Sequence, residues 1–253
     1  MELNLKGKIA LVTGSSRGIG AGIAKSLHHE GCTVILNSRK AEDLKKFESG
    51  FIERVDHFAC DVSLISDCEK LKEYIEKKYG KIDILVLNVG SGKSAPVGEE
   101  KTADWKKSLN SNLFPVVHLV EVLRPMLEKS STVTTIISSI CGIEYIPAPA
   151  TYTTIKSALH AYAKTMSKFF ARSGGRVNVV SPGNILFEGS TWETKLSQNK
   201  TNVEEYISKE VPLNRFGRPD EIGDLVAYLS SSRATFITGA TFVIDGGQTN
   251  IIH

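Results

Sequence analysis

A chain of 253 residues with 41% hydrophobic content can bury the core of one large α/β domain or of two small ones. The formal charge of +3, with acids and bases interspersed, offers no basic block of the kind that tracks a phosphate backbone, which argues against nucleic acid as a partner. The opening "MELNLKGKIALVTG" has an apolar run too short for a secretory h-region or a membrane span, so a soluble cytoplasmic protein without membrane association is expected.

Short β-branched runs alternate with longer amphipathic stretches along the chain. The first, "KIALVTG" (8–14), leads into a glycine-rich turn, "TGSSRGIG" (13–20), which opens a helical pattern continuing to about His29. Strand-like runs follow at "CTVILN" (32–37) and "HFACDV" (57–62), then a helix over 66–79 with Leu71, Ile75 and Tyr79 at fourfold spacing. Next come "IDILVLNVG" (82–90) and "TVTTIISS" (132–139), an alanine- and lysine-rich helix over 151–172, and the runs "RVNVVSPG" (176–183) and "ATFVIDGG" (240–247). Near-continuous apolar strands separated by helices predict one doubly wound parallel sheet of about seven strands with helices on both faces. No linker or repeat divides the chain, so residues 1–253 read as one domain. Cys32, Cys60, Cys68 and Cys141 lack metal or redox spacing and read as reduced core residues. His28 and His29 are adjacent on a helix and point apart, and no metal site is expected.

The turn after the first strand leaves backbone N–H groups and a helix N-terminus facing outward, a site suited to a pyrophosphate. Gly14, Gly18 and Gly20 are spaced G-x-x-x-G-x-G, which departs from the G-x-G-x-x-G fingerprint but can do the same work of turning, approach and close packing. A second feature is "YTTIK" (152–156), which puts Tyr152 and Lys156 on one helical face. Tyr74 and Lys78 in "YIEKK" share that spacing, so the pair alone has no meaning; among Glu73, Glu76 and Lys77 they read as a solvated charged helix.

Taken with these features, the sequence resembles the short-chain dehydrogenase/reductase family over almost its whole length. The resemblance rests on the T-G-x-x-x-G-x-G turn, Asp61 after the third strand, Asn88 and Gly90 in "LNVG", Asn112 seven residues after Trp105, and "SSICG" with Ser139. It rests further on "YTTIK", "SPGNI" and the tail "PLNRFGRPDEI…FITGATFVIDGG". Ser139 lies thirteen residues before Tyr152, the family's interval, and Tyr74 has no such serine before it. The resemblance implies a Rossmann-like fold and a catalytic tetrad of Asn112, Ser139, Tyr152 and Lys156. It implies cofactor contacts from Gly14, Ser15, Ser16, Arg17, Gly18, Ile19, Gly20, Ser38, Arg39, Asp61, Val62, Asn88, Gly90, Tyr152, Lys156 and Ile185.

Reducing a carbonyl with a nicotinamide hydride requires a proton at the oxygen as charge develops there, and a phenol of pKa about 10 is poorly matched to neutral pH. An ammonium about 5 Å away, at an effective dielectric of about 20, favours the phenolate by roughly 3 kcal/mol. Lys156 can supply that charge, and Ser139 can hydrogen-bond the reacting oxygen. In the family this lysine also holds the nicotinamide ribose, and Asn112 would hold a water that links Lys156 to solvent. Two departures stand out: Leu87 and Val89 replace the first asparagine and the alanine of the family's N-N-A-G, and Phe187 replaces a threonine that bonds the nicotinamide carboxamide. Ser190 or Thr191 are the candidates to compensate.

An NAD site usually closes its second strand with a carboxylate, which repels a 2′-phosphate. Here Ser38 occupies that place, Arg39 follows, and Arg17 approaches from the turn, so NADP(H) is the expected cofactor. The segment 184–211 corresponds to the family's variable substrate loop. Phe187 and Trp192 are candidates to pack on an acyl chain or a sugar, and Lys93, Glu144 and Glu188 to bond hydroxyls. The resemblance favours a small-molecule 3-oxoacyl-thioester reductase over a sugar or polyol dehydrogenase, with a non-catalytic NADP-binding sensor as the remaining alternative. It also implies a homotetramer built through the helices carrying Asn112 and Tyr152 and the last strand near Phe242.

Overall fold

Apolar side chains occur on both sides of almost every strand, and this composition can be buried only if helices cover both faces of the sheet. The computed structural model, which describes residues 2–51 and 53–252, has that arrangement. Seven strands, β1 (Ile9–Thr13), β2 (Thr33–Ser38), β3 (Val55–Ala59), β4 (Ile84–Leu87), β5 (Val133–Ile137), β6 (Arg176–Pro182) and β7 (Thr241–Ile244), form a single sheet. Their order is β3-β2-β1-β4-β5-β6-β7 and every pairing is parallel. Between them run α1 (Gly18–His29), α2 (Ala41–Glu48), α3 (Ile65–Lys78), α4 (Thr102–Asn112), α5 (Phe114–Lys129), α6 (Ala150–Phe170), α7 (Thr191–Gln198), α8 (Lys200–Glu210) and α9 (Pro219–Ser230).

Alternate strand residues supply two separate cores. Leu11, Ile35, Leu85, Leu87, Val177 and Val179 pack with Leu71 and Ile75 of α3, Leu119 and Leu123 of α5 and Leu159 of α6. The intervening residues Ala10, Val12, Val34, Leu36, Val86 and Val180 meet Ile23 and Leu27 of α1 and Ile222, Val226 and Leu229 of α9. Truncating a fully buried leucine such as Leu119 to alanine in cores of this kind costs about 2–5 kcal/mol. On the second face α1 and α9 approach to backbone contact. A Cβ on Gly22 would lie 2.4 Å from the carbonyl carbon of Pro219, and one on Gly223 would lie 2.8 Å from the Gly22 oxygen.

Three elements differ from the sequence reading. β3 begins at Val55, two residues before the expected run, because pairing with β2 starts at Val34 opposite Val55; Cys60 to Val62 lie beyond the strand. The helix expected to carry Asn112 is divided at Leu113 into α4 and α5, with Pro115 in the first turn of α5, where its missing N–H costs no helical bond. The variable segment 184–211 contains two helices, α7 and α8, whose N-termini are capped by Ser190 and Asn199 accepting from the amides of Glu193 and Asn202. Cys32, Cys60 and Cys68 are buried free thiols and Cys141 is a half-buried one.

Candidate functional site

The chain moves to opposite sides of the sheet from β1 and from β4, so a crevice opens beyond the carboxyl ends of these neighbouring strands. The register that pairs Thr13 with Asn37 sets the glycine turn beside Ser38, and the parallel ladder continues through β4 and β5 to Asn88 and Ser139. Sequence positions far apart thereby converge on one edge.

The turn leaves β1 with Gly14 at φ 62° and reaches α1 with Gly18 at φ 58°, conformations that disfavour any side chain. Gly20 is required for a different reason: a Cβ there would stand 2.3 Å from the Gly14 carbonyl oxygen and 2.5 Å from Asn88 Nδ2. Asn88 fastens this turn, donating from Nδ2 to the carbonyls of Thr13 (3.0 Å) and Gly14 (3.2 Å). Ser15 faces inward, its amide donating to the Asn37 carbonyl and its hydroxyl accepting from the Asn37 amide at 2.9 Å. Ser15 thus ties the turn to β2 and directs no side chain outward. Ser16 and Ile19 are half-buried along the turn, and Arg17 is exposed.

Ser38 ends β2 with its hydroxyl donating to the Lys40 carbonyl (3.1 Å), and Arg39 beyond it is exposed. Asp61 closes the turn after β3 by accepting from the Ser63 amide (3.0 Å), while Val62 is a core residue whose side chain points away from the crevice edge into the first hydrophobic cluster. Ile185 is buried and bridges Gly217 in a short parallel pairing beside β6.

Asn112, fully buried, uses its amide as a backbone would: Oδ1 accepts from the Ser91 amide (2.9 Å) and Nδ2 donates to the Ser91 carbonyl (3.1 Å). The break between α4 and α5 makes Asn112 the last residue of α4, where this pairing pins the segment leaving β4. A Cβ on Gly90 would meet Asn112 Oδ1 at 3.0 Å and Lys156 Nζ at 3.2 Å, so amide, ammonium and Gly90 share one small space. Lys156 is buried in α6, donates to the Ile137 carbonyl (2.9 Å), and lies 5.7 Å from the centroid of the Tyr152 ring. Ser139 caps the one-turn 3-10 helix after β5, accepting from the Cys141 amide (3.2 Å).

Burial dominates the protonation of this pair. Desolvation pushes the Tyr152 phenol up to about 12, with a hydrogen bond to Ser139 acting in the opposite direction. Desolvation likewise lowers the Lys156 ammonium from 10.5 to about 8. Burial thus pushes both groups toward their neutral forms, and it outweighs the other influences on the phenol.

Several substrate-loop expectations need correction. The Phe187 ring lies on the glycine turn, since a Cβ on Gly18 would come within 2.6 Å of its Cε2 atom. Trp192 is stacked on Tyr206 (5.3 Å, 26°), flanked by Phe216, and covered by Lys195 Nζ at 4.5 Å, so its faces are engaged within the chain. The Glu144 carboxylate accepts from the Asn250 amide at 2.7 Å and the Ile251 amide at 3.3 Å. Ser190 is committed to capping α7, while Lys93, Glu188 and Thr191 are exposed. Tyr74 is not simply solvated: its hydroxyl donates to Asp56, which also accepts from Lys78 (2.6 Å) and Tyr79 (2.8 Å). Desolvation raises the Asp56 carboxyl, but the bonds from Lys78, Tyr74 and Tyr79 outweigh it and leave the pKa lowered. The second tyrosine–lysine pair is a structural clamp on β3.

Residues 14–249 match the family model described as enoyl-(acyl carrier protein) reductase. The chain is 32% identical over 253 residues to a 3-oxoacyl-[acyl-carrier-protein] reductase of Thermotoga maritima, covering 97% of this chain and 99% of that protein. It is 35% identical over 259 residues to a tropinone reductase homolog of Arabidopsis thaliana, covering 97% of this chain and 94% of the homolog. The crystal structure of L-sorbose reductase from Gluconobacter frateurii, complexed with NADPH and L-sorbose, superposes with a TM-score of 0.93 at 27% identity over 100% of both chains.

Proposed function

Since the chain belongs to the short-chain dehydrogenase/reductase family and is an oxidoreductase on its Rossmann-like fold, we propose that it transfers hydride from NADPH to the carbonyl of a 3-oxoacyl thioester. The observation that carries this reading is the Ser139–Tyr152–Lys156 cluster at the carboxyl edge of the sheet, with Tyr152 bonded to Ser139 and Lys156 beside its ring. The L-sorbose complex of the similar structure keeps a sugar or polyol as the second reading, but the engagement of Trp192 with Tyr206 removes the ring most suited to stacking on a sugar.

In this reading the turn from Gly14 to Gly20 at the α1 N-terminus, with Ser16, Arg17, Gly18 and Ile19, would hold the pyrophosphate. Arg17 and Arg39, both exposed at the edge where Ser38 replaces a carboxylate, would pair with the 2′-phosphate. Asp61 and the Val62 backbone would border the adenine side; Asn88, Gly90 and the Ile185 backbone would border the nicotinamide side. The cofactor supplies the hydride. Ser139 bonds the substrate oxygen, and Tyr152 gives that oxygen its proton. A developing alkoxide beside the phenol favours release of the proton that burial otherwise holds, and Lys156 stabilises the phenolate left behind. Asn112, alongside Lys156 at Gly90, supports the replacement of that proton from solvent.

Residues 1–253 are proposed to act as one catalytic unit in the cytoplasm; no helix among the described residues is long and apolar enough to cross a membrane. β7, a four-residue edge strand of half-buried side chains, and the outer faces of α4, α5 and α6 are the proposed contacts of a homotetramer. NADPH oxidation followed at 25 °C, with a 3-oxoacyl thioester beside a ketose and polyol panel, tests the reading. Turnover of the thioester is expected, and turnover of sugars alone would overturn the substrate choice.

A further inference from the structure

The chain beyond β7 is fastened by side chains from three separate segments. Asp245 accepts from the amides of Gly247 (2.9 Å) and Thr249 (2.7 Å), turning the chain after β7. Gln248, nearly buried, then makes two bonds with its one amide. Its Oε1 accepts from Asn184 Nδ2 at 2.9 Å, and its Nε2 donates to the Tyr206 hydroxyl at 3.2 Å. Two residues on, Asn250 and Ile251 are held by Glu144, which accepts from both backbone amides and from Asn250 Nδ2 at 3.2 Å.

Each anchor belongs to a different wall of the site. Asn184 immediately precedes Ile185, whose short pairing with Gly217 fixes the loop leaving β6. Tyr206 lies on α8 and stacks on Trp192 of α7, so holding Tyr206 holds both helices of the 184–211 segment, termed the cap from here on. Glu144 lies five residues beyond Ser139, on the loop whose Gly142 rests against the Lys156 backbone. The buried amide of Gln248 has its acceptor satisfied by Asn184 and a donor satisfied by Tyr206, two groups from different segments. Loss of either bond would leave a polar partner stranded in a poorly solvated place.

Building on the oxidoreductase reading, we propose that Gln248 and Glu144 are positioning residues for the substrate, using the segment 248–251 as a strap that sets the distance between the α7–α8 cap and the Ser139 loop. Among the described residues none of the strap's hydrogen bonds reaches the tetrad, so it governs how firmly a carbonyl substrate is enclosed rather than the proton transfer itself. Substitution should therefore act on the KM for that substrate, while kcat and the KM for NADPH remain close to those of the unmodified protein.

Three variants and one spectroscopic reading test this. Gln248→Leu removes both bonds at similar size and should raise substrate KM about tenfold or more with kcat within about twofold, on the scale of two hydrogen bonds lost. Gln248→Glu restores them, because Asn184 can donate to the carboxylate and the Tyr206 hydroxyl can rotate to do the same; its KM should return to within about threefold. Glu144→Gln should lie between the two. Of the two tryptophans, Trp105 is replaced by phenylalanine so that Trp192 alone reports on the cap. Acrylamide quenching of Trp192 should rise in Gln248→Leu and recover in Gln248→Glu, whether or not any substrate is turned over. Unchanged KM together with unchanged quenching in Gln248→Leu would overturn the strap, as would a loss confined to kcat. If the unmodified protein turns over no carbonyl, the functional reading fails, and the quenching pair alone decides the strap.

Discussion

Replacing Lys156 with methionine should make the ligand-free protein more stable while destroying its activity. The ammonium is buried, and its pKa of about 8 against an ordinary 10.5 means that folding disfavours the charged form. At about 1.36 kcal/mol per unit, that is roughly 3 kcal/mol at pH 7, where both folded and unfolded lysine are protonated. Methionine carries no charge but forfeits the bond to the Ile137 carbonyl, which costs about 1 kcal/mol. A net gain of about 2 kcal/mol should raise Tm by about 4–8 °C for a chain of this length. The sign in pH follows from the depressed pKa. Between about 8 and 10.5 the unfolded chain keeps a proton that the native protein has released, so the unmodified protein regains stability as pH rises through this window. The advantage of the variant should thus be full below pH 8 and nearly absent by about pH 9.5. Calorimetric melts of both ligand-free proteins at the two pH values measure it. A lower Tm for the variant at pH 7, or a difference that does not change with pH, would refute the argument that an uncompensated buried charge sits here.

Tyr152→Phe should reduce turnover by a factor of about a hundred or more while NADPH fluorescence titration shows nearly unchanged binding; retention of most of the rate would remove Tyr152 as the proton donor. Ser38→Asp combined with Arg39→Leu should reverse a preference for NADPH over NADH on the order of a hundredfold, read as the ratio of kcat/KM values; equal ratios in the unmodified protein would show that these side chains do not face the ribose. Gly20→Ala drives a methyl into the Gly14 carbonyl, and it should weaken NADPH binding and lower Tm together, with either quantity unchanged counting against the close approach.

The strands were readable because each is a short apolar run, and the chemistry because Ser139, Tyr152 and Lys156 are fixed by intervals within one strand–helix unit. What the sequence did not disclose depends on partners distant along the chain. Nothing near Glu144 indicates that it meets Asn250, more than a hundred residues away, and nothing near Trp192 indicates a stack with Tyr206. Tyr74 looked solvated because its own helix is charged; the partner that buries it, Asp56, belongs to the neighbouring strand. The lysine–tyrosine electrostatics were only partly legible for a related reason. Pairwise Coulomb attraction can be written down from spacing, whereas desolvation, the largest influence on each group, depends on every element packed around α6. α7 and α8 were missed because local caps, Ser190 and Asn199, start helices too short to display a clear apolar period.

The near-contact of Gly22 and Gly223 gives α9 influence over a ligand it does not reach. Because α1 lies backbone to backbone against α9, the direction in which its N-terminal amides point is set by a neighbour more than 190 residues further along the sequence. A phosphate arriving there finds the donors already immobilised, so little ordering entropy remains to be lost on binding. Mutational tolerance should therefore be asymmetric. A bulky residue on the outer surface of α9 would pass unnoticed, whereas one methyl at Gly223 would tilt α1 and be felt as weakened cofactor affinity at the far end of that helix.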